Sequence, residues 1–143
     1  MLFEYSNLGK ILNISGNFYL DQYNIVNDTS VNGIGGAYFL IRKTSFSRLK
    51  GFDENMFMYL EDVDMCVRAK QFGMNIVYCP HSVIKHIGGA SSNNIYKIHH
   101  KAWYSSREYY AKKHFSFIIS RLICILYKIE KILLQLRQYF NAS

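Results

Sequence analysis

Between Glu61 and Gly73 the chain commits itself to a helix that starts on a carboxylate cluster, and this stretch constrains the fold more than any other. Glu61, Asp62 and Asp64 fall in what would be the first turn, where the helix dipole favours negative charge, and Gly73 supplies a C-terminal stop. The spacing predicts a helix over 61–72, with Val63, Cys66, Val67 and the stem of Lys70 on one face. The Gly51-Phe52-Asp53 break before it carries turn chemistry. After it, 75–79 and 82–87 read as short strands on either side of Pro80. His86 leaves the second of these just ahead of Gly88 and Gly89. A carboxylate at a helix start and an imidazole beside paired glycines are the parts of a site for a base and a cation.

Upstream, Gly33, Gly35 and Gly36 precede an apolar run, 37–41, which suggests a buried strand. Thr44 or Ser45 could cap a short helical turn through Leu49. Residues 1–32 alternate small apolar patches with Asn and Gly and read as short strands and loops. Helix resumes near Ile95. Across 115–140, Ile118, Leu122, Ile125, Ile129, Ile132 and Leu136 recur at spacings of four and three, a heptad-like stripe. Arg121, Lys128, Lys131 and Arg137 break any uncharged run of the roughly 18 residues that a bilayer span requires. An interfacial or partner-binding helix is expected instead.

The chain has 143 residues, half of them apolar, enough for one domain with a real core. Its net charge of +7 is lopsided: residues 1–80 carry seven Lys/Arg against eight Asp/Glu, and residues 81–143 carry ten against two. The basic residues of the second half alternate with long aliphatic and aromatic stretches. That pattern suits an anionic membrane surface or a diphosphate-bearing substrate, and it argues against nucleic acid. Cys66, Cys79 and Cys124 are odd in number and far apart, so neither a disulfide framework nor a zinc site is expected, and a reducing compartment fits. The N-terminus has no basic stretch leading into an apolar run, so no secretory signal is expected.

Asp62 is the candidate general base, because a carboxylate held at a helix start beside a cleft can take the proton of an attacking sugar hydroxyl. The same three acids would also serve simply to charge a helix N-terminus. Gly35 and Gly36 would let a donor sugar approach the backbone closely, although a tight turn explains them equally well. His86 is the candidate metal ligand, and a hard cation such as Mg or Mn would need carboxylates beyond it.

Taken in order, GIGGAYFLIRKTSF, GFDENMFMYLEDVDMCVRAKQFG and IVYCPHSVIKHIGGASS closely resemble the second half of the family 2 glycosyltransferases of GT-A fold, especially rhamnosyltransferase-like members. The resemblance is strong over 31–92 and looser over YSSREYYAKKH, 104–114. It implies an α/β chain: the C-terminal half of a Rossmann-like GT-A domain over 1–114, with an amphipathic helical extension over 115–143. It also implies an inverting transfer of a sugar from a nucleotide-diphosphate donor to a glycan or lipid-linked acceptor, in cell-surface polysaccharide synthesis. Asp62 would be the catalytic base and His86 a ligand of the divalent metal that steadies the diphosphate. Glu61, Asp64, Gly35 and Gly36 would line the acceptor and donor pockets. Such enzymes carry a nucleotide-binding half with an Asp-x-Asp motif ahead of the Gly-Gly-Ala strand, and the resemblance does not extend to it. The chain therefore reads as truncated, split, or one half of a two-chain enzyme that needs its other half for transfer. A cytoplasmic site, peripheral on the inner membrane face, goes with that reading. A non-catalytic module holding a membrane or a partner enzyme through the basic C-terminal helix is the alternative.

Overall fold

The computed structural model describes residues 25–87 and 96–141, which form a mixed helix and strand structure that is mostly helical. In chain order the elements are β1 (Thr29–Val31), α1 (Lys43–Arg48), α2 (Glu61–Gln71), β2 (Ile76–Tyr78), α3 (Tyr96–His114) and α4 (Phe117–Asn141). The chain divides into two compact units, one of Ile25–Tyr110 and one that includes Ala111–Ser143. The expected strands and loops of 1–24 and the loop of 88–95, with Gly88 and Gly89, lie outside the described residues.

In the first unit β1 and β2 pair antiparallel, with Thr29 opposite Tyr78, Ser30 opposite Val77 and Val31 opposite Ile76. Alternation along the strands turns Val31 and Ile76 inward, where they join Leu49, Met65, Cys66 and Ala69 in the core. Ile34, Phe39, Ile41 and Phe46 pack around its edge. Of the face that the spacing suggests only Cys66 is buried, and the rest of the buried face of α2 is Met65 and Ala69, with Asp64 beside them. Val63 and Val67 are only half-buried.

Both short-range helix stops follow from backbone chemistry. At the end of α1 the Gly51 N–H donates to the Phe46 carbonyl (3.0 Å) and the Lys50 N–H to that of Ser47 (3.0 Å), with Lys50 in the left-handed region at φ 59°. At the end of α2 the Met74 N–H donates to the Ala69 carbonyl (2.9 Å) and the Gly73 N–H to that of Lys70 (2.9 Å), with Gly73 at φ 70°. Each is a paired six-to-one and five-to-two closure that satisfies the last carbonyls of the helix. Neither Thr44 nor Ser45 caps α1: the N-cap is Arg42, and it makes no side-chain bond.

Two expected strands do not form. Residues 37–41 make a turn and then run without regular structure, Phe39 and Ile41 packing against the core while Leu40 is 90% exposed. An extended backbone becomes a strand only when a neighbour completes its ladder, and none of the described strands pairs with it. Residues 82–87 are exposed and irregular for the same reason.

α3 ties the loop between α1 and α2 to the unit. Tyr109 donates from its hydroxyl to Oδ2 of Asp53 (3.1 Å), and Asn55 donates from Nδ2 to Oδ1 of Asp53 (2.8 Å) and to the Tyr109 hydroxyl (3.2 Å). Ser106 Oγ donates to the Met58 carbonyl (2.7 Å), and Tyr59 meets Trp103 edge to face at 4.9 Å. The Arg107 guanidinium lies over the other partner of that pair, 4.7 Å from the Trp103 ring centre.

In the second unit α4 buries Ser120, Ile123, Cys124, Tyr127 and Glu130. No helix among the described residues is long and apolar enough to cross a membrane.

Candidate active site

The site is built where the 53–60 loop enters α2. Tyr59 and Leu60, neither of them glycine, sit consecutively in the left-handed region at φ 72° and 67°. Each such residue costs about 1–2 kcal/mol, a strain that persists because α3 holds the loop, through Ser106 at Met58 and Trp103 at Tyr59. The reversal of hand swings the chain so that Glu61 and Asp62 begin the helix at the loop's end. Leu60 is the N-cap and contributes no side-chain bond.

Asp62 makes up for that missing cap. Its Oδ1 accepts the Val63 N–H at 2.7 Å, and its Oδ2 accepts the Gly36 N–H at 2.7 Å. The carboxylate is thus clamped from two sides by main-chain donors, one from its own helix and one from the glycine loop. Each oxygen has a second lone pair left to accept a further proton donor. Space is tight at Gly36: a Cβ on it would lie 3.3 Å from both Cβ and Oδ2 of Asp62 and would press the carboxylate aside by a few tenths of an ångström. A Cβ on Gly35 would meet nothing within 4 Å. Gly33 approaches the same helix lower down, where its Cβ position is 3.6 Å from that of Cys66. Cys66 is buried, and burial pushes its thiol up from the ordinary value.

The other two acids have different surroundings. Glu61 is half-buried, and its Oε2 is sealed from solvent with no hydrogen-bond partner among the described residues. Burial pushes its carboxyl up from the ordinary carboxylate value; its own backbone N–H pulls the other way, and the neighbouring Asp62 adds to the rise. Asp64 is fully buried and accepts from Arg68 Nε at 2.7 Å. The same guanidinium donates from Nη1 to the Leu49 carbonyl and from Nη2 to the Gly51 carbonyl (2.9 Å). A carboxylate with no exposed surface does not meet a sugar. Asp64 is therefore a post that locks α2 to the end of α1, in contrast to the substrate contact expected of it.

The structure brings Asp62 and Gly36 together and sets Glu61 beside them. His86 lies in the exposed stretch after β2, and no hydrogen bond or ion pair among the described residues links it to the helix. Among the described residues no group of three or more His, Cys, Asp or Glu side chains gathers to hold a metal ion. A hard cation takes several oxygen ligands, so these residues do not fit a divalent ion by themselves.

Sequence reasoning assigned Gly36 to the donor sugar and missed that its amide holds Asp62. It also missed the left-handed pair and the Tyr109 clamp on Asp53. The Gly-Phe-Asp-Glu-Asn turn is the one signal that pointed to the clamp, since Asp and Asn favour local turn bonds.

The comparisons with known proteins centre on this part of the chain. The family model described as Glycosyltransferase like family 2 matches residues 20–106. The chain is 38% identical over 61 residues to Rhamnosyltransferase WbbL of Escherichia coli (strain K12), a stretch covering 43% of this chain and 23% of that protein. It is 35% identical over 78 residues to the N-acetylglucosaminyl-diphospho-decaprenol L-rhamnosyltransferase of Mycobacterium tuberculosis, covering 52% of this chain and 25% of that protein. The match thus spans a quarter or less of these curated relatives. No solved structure matches the chain. With the glycine loop, the acidic helix and the clamping loop all inside the matched residues, the chain belongs to the family 2 glycosyltransferases and is rhamnosyltransferase-like over the part that it matches.

Proposed function

We propose that this chain supplies the acceptor-side half of an inverting GT-A glycosyltransferase, which moves a sugar from a nucleotide-diphosphate donor to a glycan or lipid-linked acceptor. The observation that carries the reading is the two-point clamp on Asp62, with Gly36 on Oδ2 and Val63 on Oδ1. A base must be held at a fixed angle to the hydroxyl it serves. One main-chain donor on the helix end and one in the glycine loop provide that stiffness while leaving a lone pair on each oxygen for the acceptor.

In the proposed step the acceptor hydroxyl oxygen attacks the anomeric carbon from the face opposite the nucleotide diphosphate. The new carbon–oxygen bond forms as the bond to the diphosphate breaks, the hydroxyl proton passes to the Asp62 carboxylate, and the configuration inverts. Glu61 and Gly35 stand beside this position and would border the bound sugars. The nucleotide-binding half, with its Asp-x-Asp motif, would come from a partner chain or a longer polypeptide. His86 enters only as one ligand of a Mg or Mn ion whose other ligands the described residues do not supply, and no step is routed through that ion. The lipid-linked acceptor draws support from the diphospho-decaprenol in the name of the mycobacterial relative.

The test is Asp62→Asn in the protein joined to a nucleotide-binding half. Transfer should fall on the order of 10²–10⁴-fold, with donor affinity retained and the product anomer inverted in the parent enzyme. Unchanged turnover in the variant removes the base assignment.

A further inference from the structure

Along α4 the apolar stripe faces the wrong way for a core helix. Ile118, Leu122, Ile125, Ile129, Ile132 and Leu136 are all exposed, whereas the buried face carries Ile123, Cys124 and Tyr127 together with Ser120 and Glu130. At about 100° per residue the stripe, widened by Ile119, Leu126 and Leu133, fills an arc of roughly 140°. That is far broader than the two-position seam of a coiled coil.

The charges along the helix select what covers this arc. Among the described side chains of α4 the exposed charges are all positive, Arg121, Lys128 and Lys131, and the acid, Glu130, is buried. Arg121 also stacks over Phe117, 5.1 Å from its ring centre, which ties a cation to the apolar edge. A second copy of the helix fits poorly. With Ile118 and Leu122 in the seam, the flanking positions are Arg121 and Lys128 on one side and Ile119, Leu126 and Leu133 on the other. A parallel pair would set cations against Ile and Leu, and an antiparallel pair would set cation against cation. Neither makes the interhelical ion pairs that fix such dimers. An anionic lipid surface suits both features, since the arc can enter the acyl boundary while the cations meet phosphates.

We propose that α4 lies in the interface of a bilayer containing anionic phospholipid, with Ile125 and Ile129 towards the acyl chains and Arg121 and Lys128 at the headgroups. The inference rests on α4 alone and does not depend on the reaction assigned to Asp62. The test is sedimentation of the full 143-residue chain with vesicles of phosphatidylcholine alone or mixed with phosphatidylglycerol, at low and high salt. The chain should bind the mixed vesicles, and salt should weaken the binding. Replacing Arg121 and Lys128 together by Gln should lower partitioning about twenty-five-fold, at about fivefold per cation. Ile125→Glu with Ile129→Glu should lower it by at least about tenfold. Both sets alter exposed positions, so circular dichroism should show the parent helix content. Absence of binding to the mixed vesicles, or equal binding by parent and variants, overturns the proposal. So does a concentration-dependent dimer that the Ile125/Ile129 pair abolishes while the parent leaves vesicles alone.

Discussion

The Gly36 amide donates to Oδ2 of Asp62 at 2.7 Å across a separation of 26 residues. The glycine loop and the first turn of α2 are thereby fastened at one carboxylate oxygen.

That fastening separates two adjacent glycines. Gly36→Ala puts a methyl 3.3 Å from Oδ2 and Cβ of Asp62, so the carboxylate must move by a few tenths of an ångström. Misplacing a proton acceptor by that much should cut transfer about tenfold or more. Gly35→Ala meets no atom within 4 Å and should leave transfer near the parent level. Steady-state rates of the two variants in the reconstituted enzyme check this, and equal rates would show that the clamp has no bearing on turnover.

Arg68 holds three acceptors with one planar group: Asp64, the Leu49 carbonyl and the Gly51 carbonyl. A lysine ammonium cannot span them in that fork geometry. Arg68→Lys should therefore destabilise the chain by about 2–3 kcal/mol, the scale of losing charge-assisted hydrogen bonds. Urea melts measure it, and a midpoint equal to the parent's refutes it.

Glu61 should impose a pH dependence of its own. Burial raises its folded pKa above the ordinary value of 4.5, so between those two values the folded state binds the extra proton. Stability from this group is complete below the unfolded value and is lost as pH rises through the folded one. Glu61→Gln should remove that decline and make the chain more stable at neutral pH. Urea midpoints between roughly pH 4 and pH 7 test this; a variant that falls as steeply as the parent would place the pH dependence elsewhere.

Lys50 is an exposed residue in the left-handed position that ends α1. Glycine adopts that φ without the Cβ clash. Lys50→Gly should raise stability by about 0.5–1 kcal/mol, visible as a higher thermal midpoint. A lower midpoint would mean that the lysine stem packs against the unit.

The legible parts of this protein were those governed by neighbours in sequence. The acidic first turn and Gly73 mark both ends of α2, and the structure ends the helix within one residue of the expected place. The strand Ile76–Tyr78 falls inside the expected 75–79. The apolar run at 37–41 misled because its composition is that of a strand, whereas a strand also requires a partner that composition does not reveal. The face of α2 was only partly legible because Asp64 is fully buried against a partly buried Arg68, and a hydrophobic pattern does not register a paired charge.

Sequence alone therefore determined the family, the helix that carries Asp62 and the stripe along the last helix, since capping, periodicity and ordered motifs are local properties of the chain. Tertiary structure alone decided that Gly36 grips Asp62, that Asp64 turns inward to Arg68, and that the stripe of α4 faces outward. The first joins groups 26 residues apart, the second depends on Arg68 reaching the Leu49 and Gly51 carbonyls 19 and 17 residues away, and the third on which face of α4 its own unit covers, and position in space settles all three.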